Sequence, residues 1–136
     1  MSNSVVFPVT IFYEDTDITG LVYHPNYFKY FERARSNFFD AQELRRLQME
    51  EGIGVAVYRA DITFKRGASL GDRLEVHTLP SLSGDYRVVV QHSVFRVHDP
   101  QVLVEATVEL VCVANEKVIK IPPLIRDKVM AFTQSQ

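Results

Sequence analysis

Tyr13-Glu14-Asp15-Thr16-Asp17-Ile18-Thr19-Gly20-Leu21-Val22-Tyr23-His24-Pro25-Asn26-Tyr27 is where the chain changes its period. Before it, Val5, Phe7, Val9, Ile11 and Tyr13 alternate with a mixed set, the two-residue repeat of a half-buried strand. After it, Tyr27, Phe31, Ala34, Phe38 and Ala41 recur at steps of four and three, which lines up one apolar stripe on a helix. Lys29, Glu32, Arg33, Arg35 and Asp40 fall mostly on its other faces. Pro25 suits a first helical turn, where its missing N–H is not needed. The stripe predicts one helix running to about Leu47 and closed by Gly52 and Gly54. Between strand and helix, Glu14 to Gly20 carries turn-forming side chains and reads as a loop.

Outward from this segment, the chain is mostly strands. Pro8 cannot donate to a ladder, so the first strand belongs at an edge or is bulged there. Ala56, Tyr58, Ala60, Ile62 and Phe64 alternate with polar partners, and Leu74, Val76 and Thr78 follow the turn residues Lys65-Arg66-Gly67 and Gly71-Asp72. Ser83-Gly84-Asp85 leads into Tyr86 to Val97, and Asp99-Pro100 into Val102 to Val113. Such short connections join antiparallel neighbours. A short strand to Ile121 and a last helix from Leu124 to Phe132 complete the pattern. The class is α+β, with a sheet that must cover the stripe of the long helix. Periodicity does not choose among α+β arrangements.

The 136 residues fit a single domain, 1–136, whose small size makes an oligomer interface a natural place to bury more apolar surface. An apolar fraction of 46% with 24% charged residues is that of a folding globular chain. The net charge of -2, with both signs spread along the chain, lacks the basic field that nucleic acid requires. Apolar runs such as Val108 to Ala114 are too short to span a bilayer. The first residues pass straight into a strand without a signal-peptide pattern, so a cytoplasmic location is expected. Cys112 stands alone in an apolar alternating run, where a buried, inert thiol is expected.

Chemistry concentrates in the opening segment. Main-chain N–H groups where a helix begins lack intrahelical partners and sit at the positive end of its dipole, so they bind an oxygen that gains negative charge. The His24 N–H is placed for that role, and Gly20 permits a sharp turn or close approach of a substrate. A polarising helix terminus and a nearby carboxylate together describe acyl transfer to water. Spacing leaves a second reading of Asp17 open, because acids before helices are commonly caps or members of solvated turns.

The segment resembles the fingerprint of the 4-hydroxybenzoyl-coenzyme A thioesterase family. Tyr13 to Asp17 followed by Gly20-Leu21-Val22-Tyr23-His24 is most similar to its YbgC-like branch, associated with the bacterial Tol-Pal system. The similarity continues through Asn26-Tyr27 and Phe31-Glu32-Arg33-Ala34-Arg35, and more loosely over nearly the whole chain. It implies a hotdog fold, an antiparallel sheet of about five strands wrapped around a long central helix. It also implies a dimer or tetramer that hydrolyses acyl-coenzyme A, without a metal or other cofactor. The family's catalytic carboxylate falls on Asp17, as nucleophile or general base, and its carbonyl-polarising N–H falls on His24. Acyl carrier protein and Tol-Pal association enter as partners by resemblance only. Ile18-Thr19 departs from the small residues usual there, which bears on acyl preference. For this chemistry the Asp17 carboxylate must face an acyl-sized cleft beside the His24 main chain, not bulk water.

Other residues carry rival roles. The His24 imidazole can orient or catalyse, and Tyr13 and Tyr23 are candidate substrate contacts that also suit packing. Glu32 has an ion-pair explanation in Arg33 and Arg35. Asp15 reads as fixing the loop through local hydrogen bonds. His77, His92 and His98 lack metal-ligand spacing. Lys65, Arg66 and Arg73 read first as a solvated cluster and second as contacts for coenzyme A phosphates. Two other functions fit the same segment: a hotdog dehydratase or hydratase, and a non-catalytic acyl-thioester or protein-binding module.

Overall fold

The computed structural model describes residues 4–135. Strand β1 (Val5–Thr10) leads through a short 3-10 turn (Tyr13–Asp15) and an irregular loop to helix α1 (Asn26–Phe39). Helix α2 (Ala41–Glu51) follows, then strands β2 (Gly54–Phe64), β3 (Arg73–Ser83), β4 (Arg87–Arg96), β5 (Val102–Ala114) and β6 (Lys117–Ile119), and helix α3 (Pro123–Gln134). The sheet runs β1-β3-β4-β5-β2 with every pair antiparallel, and β6 adds to one end of β5. This is the hotdog arrangement, with α1 packed on one face of the sheet.

The stripe on α1 drives the packing. Tyr27, Tyr30, Phe31, Ala34 and Phe39 are buried and meet Leu74, Val76, Val88, Val90 and Val94 from the strands. Full burial of one large apolar side chain contributes about 1.5–3 kcal/mol, so these few residues outweigh local helix propensity. Pro8 lies in the edge strand β1, opposite Glu75 of β3, where its missing N–H breaks no ladder. Cys112 is buried, and that burial pushes its thiol up to about 11, beyond ready ionisation.

Two predicted boundaries move. The single long helix is two, because Asp40 takes φ 75° and caps α2 by accepting the Gln42 N–H at 2.9 Å. The stripe therefore ends on Phe39, and Ala41 is exposed. Tyr13 belongs to the 3-10 turn and not to β1, since the Asp15 carboxylate accepts the Phe12 N–H at 2.8 Å and folds the chain back. Gly52, at φ 67°, closes α2 with its N–H on the Gln48 carbonyl, as its position before β2 predicts.

The two sheet edges differ. Strand β2 pairs with β5 on one side only, and nine of its 11 residues are exposed, Val57, Tyr58 and Phe64 among them. A long edge of this kind, with apolar side chains and no covering element among the described residues, is a template for pairing with another strand.

Candidate active site

Residues 16–22 form a miniature hairpin between β1 and α1. Thr16 bridges Val22, the Asp17 N–H donates to the Leu21 carbonyl at 2.9 Å, and the Gly20 N–H returns to the Asp17 carbonyl at 3.0 Å. An aspartate opening a turn and a residue of positive φ closing it is the pattern Asp17-Ile18-Thr19-Gly20 supplies. Gly20 takes φ 82°, which L side chains rarely adopt, and the space its Cβ would enter is open. Backbone geometry therefore accounts for this glycine.

The hairpin is held from two sides. Asp15 anchors it to α1: its carbonyl accepts both the Tyr23 N–H and the Asn26 side-chain amide at 2.9 Å. Behind it, the Val22 N–H donates to the Ala68 carbonyl at 2.8 Å, and Leu21 bridges Ser69. That supporting loop is fixed by Asp72, whose carboxylate accepts the Ser69 N–H at 2.8 Å and Arg96 Nε at 2.9 Å. Burial opposes ionisation of Asp72, but the Ser69 N–H and Arg96 outweigh it and hold the carboxyl below its usual range.

Asp17 is exposed, and its Oδ1 accepts two hydrogen bonds from one residue, Thr19: the N–H at 2.8 Å and the hydroxyl. The Thr19 hydroxyl first, then its N–H, lower the carboxyl below the ordinary aspartate range; the His24 imidazole adds a smaller contribution in the same direction. The group is therefore ionised at neutral pH. Oδ2 has no hydrogen-bond partner among the described residues.

At the start of α1, the N–H groups of Asn26, Tyr27 and Phe28 donate to the carbonyls of Tyr23, His24 and Pro25 at 2.9, 3.2 and 3.1 Å. Tight turns thus satisfy the first-turn donors, and the His24 N–H is left without an acceptor among the described residues. Its imidazole is exposed and meets the Tyr23 ring at 5.1 Å and the Phe64 ring of β2 at 5.8 Å, both edge to face. It makes no hydrogen bond to Asp17 among the described residues.

Asp17, Gly20, Tyr23 and His24 thus share one loop, while Tyr13 lies on the preceding turn with 81% of its surface exposed. Ile18, at the hairpin tip beside Asp17, is fully exposed. The well-formed cavities open elsewhere. One of about 670 Å³ lies on the sheet face away from α1, around His77, Gln91 and Ser93. Another, of about 400 Å³, is a cleft of mixed character between α2 and the start of β2, lined by Leu44, Leu47 and Val55 together with Glu32, Arg35 and Arg45. Asp17 and His24 line neither and the Asp17 carboxylate is exposed, so the acyl-sized cleft expected beside the His24 main chain is not found among the described residues. The loop meets the rest of the fold through the 68–69 segment behind it and through Phe64 at the end of β2.

Other candidates settle into structural places. Glu32 pairs with Arg35 at 2.9 Å, the ion pair anticipated for it, and Lys65 pairs with Glu105 at 3.2 Å. His77 lies against the Ser4 hydroxyl at 2.6 Å, His98 sits in a turn at φ 66°, and His92 is buried beneath α1. Three contributors escaped the sequence reading: Thr19, Asn26 and Phe64. Thr19 and Asn26 carried a signal, since a hydroxyl two residues after an aspartate and an amide at a helix start are common loop clamps. Phe64 reaches His24 only through tertiary packing.

A sequence profile described as the Thioesterase-like superfamily matches residues 13–131. The chain belongs to this superfamily. It is 35% identical over 119 residues to the acyl-CoA thioester hydrolase YbgC of Escherichia coli O6:H1, covering 82% of this chain and 84% of that one. It is 48% identical over 68 residues to the acyl-CoA thioesterase YbgC of Helicobacter pylori strain 26695, and there it spans 50% of the length of its relative. Among solved structures, the 4-hydroxybenzoyl CoA thioesterase from Pseudomonas sp. strain CBS-3 superposes with a TM-score of 0.81 at 26% identity, over 93% of this chain and 97% of that one. The fold of this chain is thus shared with that thioesterase.

Proposed function

We propose that the chain hydrolyses acyl-coenzyme A thioesters, with Asp17 as the attacking carboxylate and the His24 main-chain N–H polarising the carbonyl. One juxtaposition carries this reading. An ionised carboxylate with Oδ2 free shares a loop with an unpaired N–H at the positive end of α1.

The chemistry runs in two steps. Asp17 Oδ2 attacks the thioester carbonyl carbon, and the displaced electron pair moves to the carbonyl oxygen, which the His24 N–H stabilises. Collapse breaks the C–S bond; the thiolate departs and takes a proton from solvent. Water then opens the mixed anhydride, releases the free acid and restores the carboxylate, so one water is consumed per turnover. A carboxyl below its usual range is a weak base, which favours direct attack over activation of water. Loss of a single oxyanion donor elsewhere costs roughly 3 kcal/mol, so the His24 amide weighs as much here as a side chain does. Tyr13, Gly20 and Tyr23 are assigned as substrate contacts: Gly20 and Tyr23 share the loop of Asp17 and His24, and Tyr13 is exposed on the turn before it.

Such chemistry gains from exclusion of water, which one chain alone does not provide. We assign the missing cover to a second copy of the chain, paired along the free edge of β2. Phe64 at the end of that strand touches His24, so a copy added there lies beside the loop. Coenzyme A and acyl carrier protein present the same phosphopantetheine arm, and either is accepted in this scheme; the cytoplasm, where such thioesters are made, is the proposed location.

The test is a panel of aliphatic and aromatic acyl-coenzyme A substrates, followed by thiol release and by enoyl absorbance. Thiol release is expected. An absorbance change without thiol would make the chain a dehydratase, and neither signal would make it a binding module.

A further inference from the structure

We propose that Thr19 is the positioning residue of the Asp17 carboxylate: its main-chain N–H and its hydroxyl clamp Oδ1 together and leave Oδ2 as the reacting oxygen. The inference rests on Asp17 being the attacking group.

An aspartate opening a turn needs only one main-chain N–H to hold its side chain, and the Thr19 N–H at 2.8 Å already does so. The hydroxyl on the same oxygen is additional. It is also oriented, because the Leu21 N–H donates to Thr19 Oγ1 at 3.4 Å, occupying a lone pair and leaving the hydroxyl proton for the carboxylate. Leu21 is itself tied to the loop behind through its bridge to Ser69, so the clamp is connected to the frame of the fold. Two donors converging on one oxygen restrain the carboxylate and leave Oδ2 without a partner among the described residues.

A clamp on the charged form has two consequences. It keeps Asp17 ionised to lower pH, with His24 the other titratable group that acts on it. It also removes rotational freedom that the attacking oxygen would otherwise have to lose in the transition state. The hydroxyl, not the β-branch, supplies both effects, so serine can replace threonine and valine cannot.

Thr19→Val, Thr19→Ser and Asp17→Asn are compared with the wild type by kcat, KM and pH profile on one acyl-coenzyme A substrate. The Asp17 side-chain carboxyl is titrated by 13C NMR in the proteins that retain it. Thr19 is exposed, so folding is retained. Thr19→Val is expected to lower kcat roughly tenfold with KM little changed, the loss of one hydrogen bond to a charged group. The acid limb and the Asp17 titration should both move to higher pH, and Thr19→Ser should restore all three readouts. Wild-type kcat and titration in Thr19→Val, with Asp17→Asn inactive, would overturn the role of Thr19 alone. Full activity in Asp17→Asn would overturn the underlying assignment as well.

Discussion

Acid should weaken this fold through one histidine. His92 of β4 is 3% exposed and stacks on Phe31 of α1, with ring centroids 4.7 Å apart and planes 10° from parallel. Arg35 Nη1 donates to its Nε2 at 3.1 Å. A guanidinium only donates, so Nε2 accepts and the ring proton sits on Nδ1, directed to the His77 carbonyl at 3.2 Å with the Thr78 hydroxyl at 3.3 Å. A second proton would break the Arg35 bond and place two cations side by side. Burial, then the Arg35 charge, lowers the imidazole from 6.5 to about 3, while the His77 carbonyl pulls weakly the other way. The sign follows: the folded state stays neutral while the unfolded chain takes up a proton below its ordinary value. Stability is therefore full above about pH 6.5 and falls as pH drops toward about 3. The slope approaches ~1.4 kcal/mol per pH unit, which amounts to about 2 kcal/mol at pH 5 relative to pH 8. His92→Gln keeps an acceptor for Arg35 and a donor for the carbonyl, and it does not titrate. Urea unfolding of both proteins at pH 8 and pH 5 gives a double difference in which the fixed cost of the substitution cancels. The wild type should lose about 2 kcal/mol more than the variant. Equal losses would refute the buried neutral imidazole.

Two further outcomes follow from the same geometry. Val57→Asp places a charge on the exposed edge of β2; sedimentation should show monomers, thiol release should fall with them, and unfolding should lose the dependence on protein concentration that association gives the wild type. Asp72→Ala leaves the Ser69 N–H and Arg96 without their carboxylate and unseats the loop behind Leu21 and Val22. It should cost about 1–3 kcal/mol by denaturant titration and reduce kcat, because the Asp17 hairpin loses its support.

Most of the architecture was legible because periodicity reports burial. Val88, Val90, His92 and Val94 alternate inward as the strand pattern requires, and Phe31 and Ala34 sit on the α1 stripe where the steps of four and three place them. The helix break at Asp40 was hidden, since an aspartate there fits the polar face of a continuing helix equally well. Asp40-Ala41-Gln42-Glu43 does carry the signature of a new helix start, an aspartate cap followed three residues later by glutamate. Weighing it against the stripe would have divided the helix. The role of His92 was out of reach, because a histidine on an inward strand position does not reveal that an arginine from α1 will meet it.

The candidate site was legible as residues that share one loop and not as an enclosure. Asp17, Gly20, Tyr23 and His24 lie on one loop because they are close in the chain, and local hydrogen bonds of Asp15, Thr19 and Asn26 shape it. Enclosure depends on surfaces far apart in sequence, and in the proposed scheme a second copy supplies them. No local pattern encodes how the end of β2 brings Phe64 to His24. Ile18, Tyr13 and Tyr23 near Asp17 in the chain are exposed, so local sequence places them without packing them.

Thiol release from an acyl-coenzyme A by Asp17→Asn, at an oligomeric state and thermal stability equal to the wild type, tests the attacking carboxylate most directly. A fall in kcat of roughly 10²–10⁴-fold with substrate still bound is the expected result. Turnover at the wild-type rate would contradict it.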